Sequence, residues 1–183
     1  MNIPNLLTMF RLILIPVIVI VYYLPFQWVY LVTSILFIVA AVTDWFDGYL
    51  ARKLGQMTPF GAFLDPVADK LIVAAALVIL VEAHASPFMT IPAVIIIGRE
   101  IVISALREWM AEAGKRASVA VNMLGKLKTT MQMVAIIVLL AQAPGTENFV
   151  SNVGLVILQV AAALTLWSMI VYLKAAWSDL KPQ

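Results

Sequence analysis

Long apolar runs, separated by short polar breaks, constrain this chain more than any other feature. A membrane-spanning helix needs about 20 mostly apolar residues. Six such runs can be placed, at about Leu6 to Leu24, Trp28 to Trp45, Ala62 to Val81, Pro87 to Met110, Leu127 to Ala141 and Phe149 to Ala176. Within hydrocarbon each backbone amide and carbonyl must be satisfied inside its own segment, so the runs predict helices and exclude open sheets. Composition agrees: 63% of the 183 residues are hydrophobic and 12% charged, whereas soluble domains run near half apolar and a quarter charged. The expectation is an all-α integral membrane protein of six transmembrane helices. It forms one domain over residues 1–183, with no stretch left for a separate soluble domain.

The N-terminus does not read as a cleaved signal peptide, because no basic residue precedes its apolar run and no small-x-small site follows. Asn2, Asn5, Thr8 and Arg11 alternate there with Ile3, Leu6, Leu7 and Phe10, which suits an interfacial segment ahead of the first span. With six spans, all 12 basic residues fall on the face that holds both termini. The opposite loops carry only Glu82, His84 and Glu147. Lys and Arg are retained on the cytoplasmic side, so both termini are expected in the cytoplasm. Lys115, Arg116, Lys174 and Lys181 suit anionic lipid heads, and nucleic acid binding is not implied.

Several chemistries are excluded. The chain has no cysteine, hence neither disulfides nor thiolate metal sites. His84, the single histidine, lies on the far side of the membrane from the other polar residues and is assigned no chemistry. No Gly-rich phosphate loop or nucleophile elbow occurs.

Against this background four aspartates stand out: Asp44 and Asp47 at the end of the second run, Asp65 and Asp69 at the start of the third. A carboxylate beside hydrocarbon is costly unless it is paired or bound to a cation. Spacings of three and four put each pair on one helical face, and a short turn lets the two pairs oppose each other. Four converging negative charges call for neutralising cations. Oxygen-only ligands favour Mg²⁺ or Mn²⁺ over Zn²⁺, with room for two ions of the kind that assist displacement at phosphorus. Gly48 and Gly61 carry no Cβ and let a phosphate or flat group approach the backbone, or else serve close helix packing. Arg52 offers a planar fork suited to phosphate.

These residues form the pattern D-x-x-D-G-x-x-A-R-(x8)-G-x-x-x-D-x-x-x-D across Asp44, Asp47, Gly48, Ala51, Arg52, Gly61, Asp65 and Asp69. The chain thereby resembles the CDP-alcohol phosphotransferase family, and the likeness extends to the six spans and to the segment from Pro4 to Arg11. The segments Arg99 to Trp109 and Gly125 to Thr130 are similar to bacterial members that use glycerol 3-phosphate. The resemblance implies transfer of a phosphatidyl group from CDP-diacylglycerol to sn-glycerol 3-phosphate, with release of CMP, in the bacterial inner membrane. It assigns the metal positions to Asp44, Asp47, Asp65 and Asp69, and a base role to Asp69. It assigns the CDP moiety to Asn5, Thr8, Gly48, Arg52, Thr58, Gly61 and Lys70. A homodimer is also implied, and the runs Ala74 to Ala76 and Ala161 to Ala163 would allow close helix contact.

The acceptor is read from a second polar set. Arg99 and Arg107 lie two turns apart in the fourth run, Glu100 projects toward the Arg107 side, and Lys126 and Lys128 open the fifth. An anionic acceptor would be gripped by Arg99, Arg107, Lys126 and Lys128, unless the arginines serve only as ion-pair partners for Glu100 and Glu108. Two further readings stay open: a sibling transferase acting on inositol phosphate, phosphatidylglycerol or serine, and a small cation transporter whose aspartates hold the transported ion. A lipid donor keeps its acyl chains in the bilayer. The expected cavity therefore opens sideways to the cytoplasmic leaflet as well as to water.

Overall fold

The computed structural model is all-helical: α1 (Ile3–Tyr22), α2 (Val29–Leu54), α3 (Pro59–His84), α4 (Pro87–Glu112), α5 (Met123–Leu140) and α6 (Phe149–Leu180). It describes residues 3–54, 59–112, 123–146 and 148–180. The helices match the six apolar runs in order. α2 and α3 extend past the apolar stretches and carry the acidic residues on regular helix. Residues 3–11 are continuous with the first span. They form the first turns of α1, because the side chains at Thr8 and Arg11 continue its buried stripe.

Helix ends follow local chemistry. Ser86 caps α4, its hydroxyl accepting from the Phe88 amide at 3.3 Å, and Pro87 takes the first helical position, where no amide is needed. Asn148 caps α6 by accepting from the Ser151 amide at 2.7 Å. Between α5 and α6, Thr146 N donates to Ala143 O at 3.1 Å, and Gly145 has φ +74°. Pro144 followed by a positive-φ glycine is the preference of a type II turn. His84 bonds through Nδ1 to Leu80 O at 3.0 Å, a local helix-end role.

The chain divides into two compact units, residues 1–84 with 137–147, and residues 85–136 with 148–183. In the first unit α1 packs on α2 and α3. The seam is a set of helical stripes: Leu14, Ile18 and Tyr22 on α1; Val29, Thr33, Phe37 and Ala40 on α2; Ile72, Ala76 and Leu80 on α3. Ser34 also donates to Ile137 O at 2.8 Å. In the second unit α4 packs on α6 through Met89, Ala93, Ile96 and Ile103 on one side and Leu158, Ala161, Ala162 and Thr165 on the other. Ala76, Ala161 and Ala162 are thus buried within the chain's own packing. Ala74 and Ala75 are half-buried and Ala163 is exposed, so the two small-residue runs are shared between internal packing and the outward face.

Outward faces are strongly apolar, with Ile13, Ile20, Val78, Val94, Ile101, Val156 and Trp167 all exposed. Patches of this extent on a folded chain mark contact with lipid rather than water. Among the described residues three helices are long and apolar enough to cross a membrane, over Asn5–Tyr22, Pro87–Glu112 and Phe149–Lys174, and Val29–Asp44 and Leu127–Leu140 are shorter apolar helices. The chain is a multi-pass membrane protein.

Candidate active site

The buried stripes of the first unit turn polar at one shared end. On α2 the series Val29, Thr33, Phe37, Ala40 continues to Asp44, and on α3 the series Leu80, Ala76, Ile72 runs back to Asp69 and Asp65. On α1, Ile18 and Leu14 lead to Arg11 and Thr8. Helical periodicity thus aims three carboxylates, a guanidinium and a hydroxyl at one point.

Arg11 occupies the centre. Its Nη1 donates to Asp44 Oδ1 at 2.6 Å and to Asp69 Oδ1, and its Nη2 stands 3.8 Å from Asp65 Oδ1. The guanidinium is 1% exposed, whereas the side chains of Asp44, Asp65 and Asp69 are 43%, 37% and 45% exposed. The cation backs the cluster from within, and the acids keep an accessible side. Thr8, also buried, donates its hydroxyl proton to Asp65 Oδ1. A hydroxyl has one proton, so toward a nucleotide Thr8 can act only as an acceptor. Pro66 sits between the two α3 acids and withdraws one backbone donor from that turn.

Three of the four expected metal ligands are therefore brought together from two helices. The side chains of Asp47, Gly48 and Arg52 lie outside the described residues, although α2 carries them, and Thr58 lies outside entirely. Gly61 is buried at the start of α3, Lys70 is partly exposed next to Asp69, and Asn5 is partly exposed one turn before Thr8. Among the described residues no group of three acids alone forms a metal-holding set. The donors nevertheless suit a hard cation: all are carboxylate oxygens, already gathered around one positive charge and open on one side. Arg11 was not among the expected site residues. Its signal in the sequence was an arginine within an apolar helix, three residues after Thr8 on the face that later carries Leu14 and Ile18.

The second polar set lies within the second unit. Arg99 and Arg107 fall on the α4 stripe between Ile96, Ile103 and Met110. Lys128 on α5 is buried, within electrostatic reach of Arg99, Glu100 and Arg107. The structure corrects one pairing. Glu100 binds its neighbour Arg99 rather than serving Arg107, and the Arg107 guanidinium lies over the Tyr172 ring, 5.4 Å from its centroid. A cation over an aromatic ring is attracted by the ring's negative face, which leaves guanidinium N–H groups for an anion. Arg99 Nε is buried without a partner among the described residues. The Lys126 side chain lies outside them.

The chain belongs to the CDP-alcohol phosphatidyltransferase family, whose model matches residues 1–172. Within that class several curated relatives share one name. A protein of Salmonella choleraesuis (strain SC-B67), 57% identical over 182 residues that cover 100% of this chain and 98% of the relative, is named CDP-diacylglycerol--glycerol-3-phosphate 3-phosphatidyltransferase. Proteins of the same name are similar in Shigella flexneri serotype 5b (strain 8401), at 58% identity over 100% of this chain and 98% of the relative, and in Pseudomonas fluorescens, at 55% over 99% and 93%.

Proposed function

We propose that this chain transfers the phosphatidyl group of CDP-diacylglycerol to sn-glycerol 3-phosphate, giving phosphatidylglycerophosphate and CMP, a step of anionic phospholipid synthesis. The observation that carries the reading is the convergence of Asp44, Asp65 and Asp69 at one point, in a chain alike over its whole length to proteins named for this transfer. The hydroxyl oxygen of glycerol 3-phosphate attacks the β-phosphorus, the bond from that phosphorus to the CMP oxygen breaks, and the hydroxyl proton passes to Asp69. To act as base, Asp69 needs to lie within about 3 Å of that hydroxyl or reach it through one water.

Asp44, Asp47, Asp65 and Asp69 would hold two Mg²⁺ ions, with Mn²⁺ able to substitute. Bound there, the cations supply positive charge to the pyrophosphate oxygens and to the departing CMP. Arg52, Thr58, Gly48, Gly61, Asn5, Thr8 and Lys70 receive the CDP moiety. Arg99, Arg107, Lys126 and Lys128 receive the acceptor phosphate. The chain forms one membrane domain of six spans in the bacterial inner membrane, as a homodimer, with both termini and the acid cluster cytoplasmic. Supporting that orientation, residues 23–28, 85–86 and 141–148 between helices contain no Lys or Arg. The donor's acyl chains stay in the cytoplasmic leaflet beside a laterally open cavity.

The deciding assay is CMP release from CDP-diacylglycerol by purified protein, against glycerol 3-phosphate, inositol phosphate, phosphatidylglycerol and serine, with and without Mg²⁺. Release requiring both glycerol 3-phosphate and the metal is expected. Release with another acceptor alone would keep the metal site but overturn the role given to Arg107 and Lys126.

A further inference from the structure

An arginine cannot shed its charge at any ordinary pH, so a guanidinium that is 1% exposed in an apolar helix needs anions around it. Among the described residues, the carboxylates around Arg11 are ones proposed to hold divalent cations: Asp44 and Asp69 bond it directly and Asp65 stands at 3.8 Å. Three helices contribute, with Arg11 on α1, Asp44 on α2, and Asp65 and Asp69 on α3. The same contacts that neutralise the acids also clasp α1 to its two neighbours, and Thr8 adds a further bond to Asp65 from the same helix face.

We propose that Arg11 is the resident counter-ion of the acid cluster, a positioning residue whose guanidinium competes with divalent cations for the charge of Asp44, Asp65 and Asp69. The inference rests on the metal-dependent reading of the site and adds a regulation to it. With Arg11 in place the cluster carries one negative charge fewer, so it attracts a divalent cation less strongly than the same acids would without it. The pyrophosphate of the lipid donor adds negative charge beside the cluster, so the cation is held more tightly when the donor is bound. By the same linkage, the fold keeps its acids neutralised between turnovers. Whatever stabilises the cation-free protein more than the loaded one must lower the cation's affinity.

Mn²⁺ binding to the full-length protein in detergent, followed by electron paramagnetic resonance without substrate, tests this together with thermal unfolding in chelator and in Mn²⁺. Arg11→Gln is expected to bind Mn²⁺ at least about tenfold more tightly than the parent, to melt lower in chelator, and to gain more in melting temperature from Mn²⁺. Arg11→Lys keeps the charge but cannot span several carboxylates. It is expected to fall between the two in affinity, and it carries the test should the glutamine variant fail to fold. A purely structural arginine would lower the melting temperature without tightening Mn²⁺ binding. Unchanged or weaker affinity in the variants therefore overturns the proposal while the metal site stands. No Mn²⁺ binding by the parent or by either variant overturns both.

Discussion

The bond from Thr8 to Asp65 lends itself to a quantitative test, because valine matches threonine in shape and removes only the hydroxyl. Thr8 is buried and its acceptor is a carboxylate whose other side, 37% exposed, still meets water, so the lost bond is the one from the buried side. A hydrogen bond to a charged group contributes about 1.5–3 kcal/mol. If the whole of that is needed to hold Asp65 in its working orientation, kcat/KM falls roughly 10- to 150-fold, at about 1.4 kcal/mol per decade. Asp65 is expected among the metal ligands, so Thr8→Val should also require more Mg²⁺ for half-maximal CMP release. Thr8→Ser keeps the donor and should recover to within roughly threefold of the parent, allowing for one lost methyl. The reasoning is refuted if the valine variant keeps the parent's kcat/KM. A raised KM for CDP-diacylglycerol with an unshifted Mg²⁺ requirement would instead place Thr8 on the nucleotide.

Asp69→Asn should lose most turnover yet still bind CDP-diacylglycerol; near-normal CMP release would remove Asp69 from the mechanism. Arg107→Ala should raise KM for glycerol 3-phosphate about 10- to 100-fold, the scale of a lost charged contact, and an unchanged KM with intact turnover would free Arg107 of that role. Because the chain has no cysteine, single replacements can be labelled cleanly. Both Ala143 and Lys174 are exposed, and an impermeant maleimide on intact cells should reach Ala143→Cys, but Lys174→Cys only after permeabilisation. Ala85 joins α3 to α4 at φ 43°, a conformation that costs an L-residue about 1–2 kcal/mol. Ala85→Gly should therefore raise stability by about 0.5–1 kcal/mol after the glycine's extra unfolded-state entropy, and a lowered melting temperature would contradict that account.

Read from one end of the chain to the other, the sequence already specified the helices, their order and the set of acids. Apolar length and backbone satisfaction are local constraints, and a membrane leaves helix as the answer wherever a long apolar run occurs. The cost of placing a carboxylate beside hydrocarbon is likewise a property of each residue, which is why Asp44, Asp65 and Asp69 stand out in the sequence alone. Partnership across helices is a different kind of fact. That Arg11 seats among those acids, that Thr8 gives its proton to Asp65, and that the Arg107 guanidinium lies over Tyr172 all depend on how far each helix is rotated about its axis and slid along its neighbour. A rotation of one residue, about 100°, would carry any of these side chains out of reach. Rotation and register are settled by packing among α1, α2 and α3 in one unit and between α4 and α6 in the other. Those contacts join residues far apart in sequence, and no local pattern contains them.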